Sequence, residues 1–248
     1  MKISIITATY NSASTIKHTL QSVSEQEQSL VEHIIIDGDS TDETMRIVSS
    51  FPHLKIKISE RDAGIYDAMN KGIQKASGEI IGILNSDDFY SSDQVLSEVV
   101  SVFERTNCDA LYGDLEYVDK DDITRVIRYW KSGSYRSGAF KWGWMPPHPT
   151  FFVKREVYEK YGLFKLGMKT AADYELMLRF IHKERIKLEY IPSVLVKMRT
   201  GGASNRSLLS RLQANEDDRT AWAINGIKPY WFTLYLKPLR KISQFIFK

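Results

Sequence analysis

Four short apolar runs in the first half of the chain each end in a polar, mostly acidic cluster, with helical spacing between them. Residues 3–7 lead into Thr7-Ala8-Thr9-Tyr10-Asn11, and 33–36 into Asp37-Gly38-Asp39-Ser40. Residues 55–58 lead to Arg61-Asp62-Ala63-Gly64, and 80–84 into Asn85-Ser86-Asp87-Asp88. Such alternation builds an α/β protein with a mostly parallel central sheet and helices on both faces. Ligands of these sheets bind outside the carboxyl ends of the strands. Each of the four ends is therefore a candidate binding edge.

The intervening segments predict the helices. Ile16, Leu20 and Val23 recur at helical spacing after the break at Tyr10-Asn11-Ser12. Ser40-Thr41-Asp42-Glu43 reads as a capping box opening a helix through Ile47, Val48 and Phe51. Residues 65–76 carry Ile65, Met69 and Ile73 on one face, and Ser77-Gly78 stops them. Val95, Leu96, Val99, Val100 and Phe103 mark another helix, followed by a strand over 110–112. The second half is less regular. Residues 142–149 read as an aromatic, proline-rich loop, 150–153 as a strand and 173–182 as a helix. Residues 188–191 and 194–198 read as two short strands, and 207–223 as a helix. The economical division is one domain over 1–205 and a C-terminal extension over 206–248. Within the domain, a nucleotide-binding half covers about 1–115 and an acceptor half about 116–205.

Composition narrows the class. Apolar residues make up 43% and charged residues 26% of the 248, as in an ordinary globular domain. One cysteine, Cys108, excludes an intramolecular disulfide and fits a reducing compartment. The first residues run straight into a strand, without the apolar stretch and cleavage site of a signal peptide. No segment reaches the roughly 18 uninterrupted apolar residues of a membrane span. The expectation is a cytoplasmic protein. Net charge is +3, yet 228–248 holds five bases and no acid. A basic tail on a slightly acidic body argues against a general nucleic-acid binder. Residues 229–248 mix aromatics with bases and are divided by Lys237 and Pro238. They read either as an interfacial anchor at the inner face of the plasma membrane, or as a helix packed on the body or a second subunit.

Asp87 and Asp88 carry the sharpest chemical signal. Adjacent carboxylates at a buried strand's tip repel, and a divalent cation holding a diphosphate would relieve the repulsion. An isolated Asp-Asp pair more often belongs to a solvated turn or helix cap, and only its context reverses that reading. Their context resembles a known family. Ser4-Ile5-Ile6-Thr7-Ala8-Thr9-Tyr10-Asn11, Ile35-Ile36-Asp37-Gly38-Asp39-Ser40-Thr41-Asp42 and Leu84-Asn85-Ser86-Asp87-Asp88 together resemble the family 2 glycosyltransferases of the GT-A fold. Asp62-Ala63-Gly64-Ile65-Tyr66-Asp67-Ala68-Met69-Asn70-Lys71-Gly72 resembles the branch that builds bacterial exopolysaccharide and lipopolysaccharide. The likeness covers roughly residues 1–205.

The resemblance implies a GT-A type Rossmann-like sandwich with a C-terminal helical extension. It implies hexosyl transfer, with inversion, from a nucleotide-diphosphate sugar (UDP by family habit) to a saccharide or lipid-linked saccharide. Asp87 and Asp88 would fill the metal motif with Mn²⁺ or Mg²⁺, one holding the metal and the other touching metal or ribose. The family pattern is often Asp-x-Asp, and Asn85 stands where the first acid would be, so the ligand assignment stays open. Asn85 and Ser86 would line the donor site. Thr7, Thr9, Tyr10 and Asn11 would shape the base pocket, with Asp37 or Asp39 reading the base; Thr9 to Asn11 also fit a plain strand-to-helix turn. Asp173 resembles the catalytic base and also suits a helix cap. His148, in Trp144-Met145-Pro146-Pro147-His148-Pro149-Thr150, would touch donor phosphate or acceptor, or be a buried histidine bonded to backbone. Arg199, before Thr200-Gly201-Gly202, would neutralise diphosphate charge or belong to an ordinary glycine turn. Arg61 is a phosphate or ribose candidate. A homodimer is compatible with all of this.

Two rival chemistries lack their motifs. Residues 7–12 hold no glycine, arginine or lysine, which a nucleotidyltransferase phosphate loop would want. The same turn lacks G-x-G-x-x-G, against a dinucleotide-binding oxidoreductase. A degenerate transferase retained as a partner subunit would keep the fold and lose turnover, and the intact Asp87, Asp88 and Asp173 speak against it.

Overall fold

The computed structural model describes residues 1–27, 29–168, 171–201 and 208–246. Strands β1 (Ile3–Thr9), β2 (Val31–Asp37), β3 (Ile56–Ser59) and β4 (Ile80–Ile83) run parallel in the order β3-β2-β1-β4. All seven residues of β1 are buried. Helices α1 (Ile16–Ser24) and α2 (Thr44–Ser49) cover one face with Ile16, Leu20, Ile35 and Val48. Helix α3 (Ile65–Lys75) packs Ala68, Met69 and Ile73 against Ile6, Ile34 and Ile36 on the other. The alternation of Ile34, Ile35 and Ile36 between two cores is the period-two geometry of a strand covered on both sides.

The sheet continues as a mixed sheet of nine strands among the described residues. Strands β5 (Asp88–Tyr90), β6 (Ala110–Val118), β7 (Val126–Trp130), β8 (Phe152–Lys154) and β9 (Leu188–Arg199) follow, with α4 (Val95–Thr106) and α5 (Arg155–Tyr161). β8 is antiparallel to β4 and β6, β9 runs parallel to β6, and β5 pairs antiparallel with β9. Then α6 (Ala172–Met177), α7 (Leu208–Ile224) and α8 (Thr233–Ile246) complete the fold. The expected mixed α/β architecture is present, with a helical C-terminal segment.

Several local expectations give way to side-chain chemistry. Ser40 and Glu43 do not form a capping box. Ser40 donates to Asp37 instead, Glu43 pairs with Arg46, and α2 starts at Thr44, whose N–H donates to Asp42 Oδ1 at 2.9 Å. The strand expected over 150–153 begins at Phe152. Pro147 and Pro149 fix φ, and a 3-10 turn, His148–Thr150, takes their place. The helix expected over 173–182 is α-helical only to Met177 and widens into a π-helical turn, Leu178–Lys183. There Arg179 is held by Glu175 and by the carbonyls of Tyr161, Gly162 and Leu163. The two short strands of the 188–198 region are one, β9. Pro192, which splits the sequence pattern, falls in a register shift where Tyr112 pairs with Tyr190 and Asp114 with Val194. Strand β4 ends at Ile83, although Leu84 N–H still donates to Ile6 O at 3.0 Å. Ser207, expected to open the next helix, lies outside the described residues; α7 starts at Leu208.

Lys237 and Pro238 do not divide the tail, because α8 runs through both. Its missing N–H removes one helical bond without ending the helix. The start of α8 is tied to the body. Thr233 Oγ1 donates to Lys141 O at 2.7 Å, and Lys237 Nζ pairs with Asp218 at 2.7 Å and lies 3.8 Å from the Tyr174 ring centre. Gly143, with φ of +74°, leaves room for this approach: a Cβ there would lie 2.6 Å from Lys237 N.

Two buried groups beneath the sheet give separable acid limbs. His33 contacts Thr7 Oγ1 and His53 at 3.1 Å each, and burial, then His53, lowers its pKa to about 3. Below its ordinary value of 6.5, the unfolded chain takes up a proton that the native state refuses, so stability falls towards pH 3. Glu32 pays for burial, but hydrogen bonds from Ser4, Ser77 and Lys2 outweigh it and hold the carboxyl at about 2. Its contribution, on the order of 3 kcal/mol, is present above about pH 4.5 and lost as pH falls through about 2. Melting temperature against pH is expected to flatten in the upper window for His33→Gln and in the lower for Glu32→Gln.

Candidate active site

Between β1 and β4 the chain crosses over in opposite directions, which opens a crevice at their carboxyl ends. The loops lining it are laced together. Ser12 Oγ lies 2.9 Å from Ser86 Oγ, joining the first loop to the fourth. Asn11, at φ of +47°, takes the Thr41 N–H on its Oδ1 at 2.9 Å and gives its own N–H to Ser40 Oγ. Asn11 thus fastens the first loop to the second.

The sequence-derived base-pocket residues divide into two groups. Thr7 is fully buried against His33, and Asp37 is fully buried and accepts from Ser40 N, Ser40 Oγ and Ser59 Oγ. Both brace the crevice rather than face it. Tyr10 is 62% exposed, and its ring borders Gly38, as does Asp62: a Cβ on Gly38 would lie 2.8 Å from Asp62 Oδ2 and 3.5 Å from the ring. Asp39, at φ of +67°, is exposed and pairs weakly with the exposed Arg61 at 3.4 Å. Of the two candidate acids, Asp39 is the solvent-exposed one. Thr9 Oγ1 is buried without a partner.

The acid pair sits at the mouth of β4. Asp88 is wholly buried and opens β5, where it pairs with Met198. Asn85 Nδ2 donates to its Oδ2 at 3.0 Å, while Asp88 Oδ1 and Asn85 Oδ1 are buried without partners. Burial raises both carboxyl pKa values, that of Asp88 well above its ordinary range, with the Asp87 charge adding to the effect. Arg199, at the end of β9, is the nearest compensation. Its Nη1 donates to the Asp87 carbonyl and its Nη2 to His18 Nδ1, both at 2.8 Å. Burial, then Arg199, lowers the His18 pKa, which keeps that ring an acceptor.

This donor set fits a hard divalent cation. Two orphaned oxygens point into one turn, and an adjacent charge excess is left unbalanced. Among the described residues no cluster of three or more His, Cys, Asp or Glu could hold a metal alone. The remaining ligands would therefore be phosphate and water, as hard cations at phosphate sites prefer.

Asp173 lies in the first turn of α6. Tyr66 O–H donates to its Oδ1 at 3.2 Å. His148 is nearly buried, edge-on to Phe164; burial lowers its pKa, and the Asp173 charge partly opposes this. Tyr117 of β6 lies near both acid centres, since Asp88 and Asp173 each raise its pKa beyond what burial does. Tyr66 carries no sequence signal beyond its place in the 62–72 motif, and Tyr117 carries none. The anchor of α6 was also missed. Glu175 and Arg179 form a buried pair at 2.8 Å, and Asn225 of α7 donates to Glu175 Oε1 at 3.0 Å. Their i,i+4 spacing was the available clue.

The model of glycosyl transferase family 2 matches residues 4–162, and the chain belongs to that family. The class so defined is a glycosyltransferase, and particular relatives give it scale. A PGL/p-HBAD biosynthesis glycosyltransferase of Mycobacterium bovis is 28% identical over 208 residues, covering 82% of this chain and 78% of its own. The fold is shared with S. aureus TarS 1-349 in complex with UDP-GlcNAc, at a TM-score of 0.71 and 18% identity, over 99% of this chain and 72% of that one. The chain spans only 43% of the longer TarS chain. The mannosyltransferase PcManGT of Pyrobaculum calidifontis, in complex with GDP-Man and Mn²⁺, aligns at a TM-score of 0.65 and 22% identity, over 95% and 68% of the two chains. These neighbours are GT-A enzymes, and the fold here is theirs.

Removing the Asp88 charge should help the empty protein. Asp88→Asn keeps the shape and relieves an unbalanced buried acid, so a gain of about 1 kcal/mol and a Tm rise of about 2–4 °C are expected. Differential scanning calorimetry without metal checks this. An unchanged or lowered Tm would mean that Arg199 already neutralises the site.

Proposed function

We propose that the protein moves a hexosyl group from a UDP-sugar to a hydroxyl of a saccharide or lipid-linked saccharide, with a divalent metal and with inversion. The observation that carries this reading is the Asp87–Asp88 pair at the carboxyl end of β4, where Asp88 Oδ1 and the neighbouring Asn85 Oδ1 are buried without partners and burial raises both aspartate pKa values. The TarS complexes with UDP-GlcNAc and UDP favour uridine, and the mannosyltransferase with Mn²⁺ favours a metal. The PGL/p-HBAD relative favours a surface glycoconjugate as the product class. Residues 1–115 form the nucleotide half, 116–205 the acceptor half and 206–248 a supporting extension.

The residues divide the work as follows. The Tyr10 ring packs the base over Gly38, and Asp39 and Arg61 lie where base and ribose would be read. Asn85, Asp87 and Asp88 would hold Mn²⁺ or Mg²⁺, with Ser86 and Ser12 fixing the loop. When bound, the cation supplies positive charge to the departing diphosphate. Arg199 adds a second positive group at the same mouth. Across the cleft, Tyr66 holds Asp173 Oδ1, leaving Oδ2 to take the acceptor hydroxyl's proton as that oxygen attacks the anomeric carbon. His148, kept neutral by burial, is placed to orient the acceptor beside Asp173.

Calorimetric titration with UDP, GDP and dTDP, with and without Mn²⁺, tests the donor half. UDP binding that needs Mn²⁺ and disappears in Asp88→Ala is expected. Asp173→Asn is expected to keep that binding and lose turnover by about 10²–10⁴-fold. A folded protein that binds no nucleotide would overturn the reading in favour of a degenerate partner subunit. Unchanged turnover in Asp173→Asn would move the base elsewhere.

A further inference from the structure

Away from the crevice, a cavity of about 530 Å³ opens between the π-helical turn after α6 and the segment joining α7 to α8. Lys141, Trp142, His182, Lys183, Arg185 and Tyr230 line it, and no acid does. Glu184, between two of the cations in sequence, is not part of the lining. Among the described residues, Lys141, Lys183 and Arg185 are in no ion pair, and Lys141 Nζ lies 5.2 Å from the Tyr230 ring centre. Their fields converge. Lys141 and Arg185 both depress the His182 pKa beyond what burial does.

Beside this cavity stands an aromatic ridge. Trp142 packs on Phe232 at 5.3 Å, and Tyr230 and Trp231 pack on the same ring at 5.3 and 5.5 Å. The ridge faces outward: Trp231 is 86% exposed, Tyr235 60% and Trp142 54%. A soluble anion would satisfy the cations and leave these rings in water. A membrane interface covers both, because indole and phenol rings prefer the headgroup boundary and the cations meet lipid phosphate. No helix among the described residues is long and apolar enough to cross a membrane, so contact would be from one side.

We propose that the Lys141–Lys183–Arg185 cavity binds the phosphate headgroups of an anionic lipid surface, with Trp142, Trp231 and Tyr235 set into its interface. The cavity lies at the far end of the helix that Asp173 opens, on the order of 14 Å of helical rise away. That is close enough for the surface to present a lipid-linked acceptor to the cleft. The inference goes beyond the transferase reading and is tested separately from it.

The experiment is co-sedimentation of the full chain with two kinds of vesicle. One is phosphatidylcholine alone, and the other equal parts phosphatidylcholine and phosphatidylglycerol. Sedimentation with the anionic vesicles only is expected. Each removed charge should cost about fivefold in partitioning, so Lys141→Gln, Lys183→Gln and Arg185→Asn combined should lose on the order of 100-fold. Trp231→Ala, too exposed to disturb the fold, should weaken binding to the same vesicles. Thermal melts establish that each variant is folded, independently of nucleotide binding. Equal sedimentation with both vesicle kinds, or a triple variant that sediments like the parent, would overturn the proposal. So would binding of inorganic phosphate without any vesicle association.

Discussion

Strands β1 and β4 are buried on both faces, and that constraint places the polar loops at their carboxyl ends. A strand with no solvent face tolerates polar side chains along its length mainly where they find partners, as Ser4 and Thr7 do, so charged and exposed polarity collects where it ends. The chain leaves β1 for β2 on one side and comes from β3 to β4 on the other side of β1, so the loops there cannot close over one another. The result is a crevice whose walls are loop backbone, Tyr10, Asp39 and the Asn85–Asp88 turn. In the mixed part of the sheet, Tyr117 of β6 feels the charges of both Asp88 and Asp173, which add to the rise in its pKa that burial causes.

Aspartates within this crevice meet opposite fates. Asp37 is buried but receives three donors, so its charge is spent on holding the second loop. Asp88 is equally buried and receives one donor, leaving an oxygen unmatched. The difference is not burial but the supply of hydrogen-bond donors. A protein optimised for stability alone would fill that gap with an amide or hydroxyl.

The parallel half of the fold was legible because its signals are local. Apolar runs, helical spacing and strand-end polarity all lie within a few residues of one another. The strand-end acids and Asp173 were likewise visible as residues in motifs. What could not be read was decided by contacts distant in sequence. Asp37 and Asp39 are two positions apart and looked interchangeable, yet Ser59 and the left-handed turn at Asp39 separate them. Pro192 and Pro238 look like breaks, but a β-bulge absorbs one and a helix tolerates the other. Strand β5 is only three residues long and exists because β9 offers an edge to pair with. The Glu175–Arg179 pair has helical spacing, but its burial depends on carbonyls of the 161–163 turn and on Asn225.

That last arrangement has a temporal side. Asn225 completes the Glu175 hydrogen bonding from fifty positions downstream, and Trp222 Nε1–H does the same for Tyr174. The short helix bearing Asp173 is thus held by partners that leave the ribosome after it does. Strands β1, β2 and β3 can consolidate while synthesis proceeds, whereas α6 settles only when α7 arrives. A nascent chain would pair its first parallel strands before the helix that carries Asp173 has its lasting partners, so the two sides of the crevice are assembled at different times.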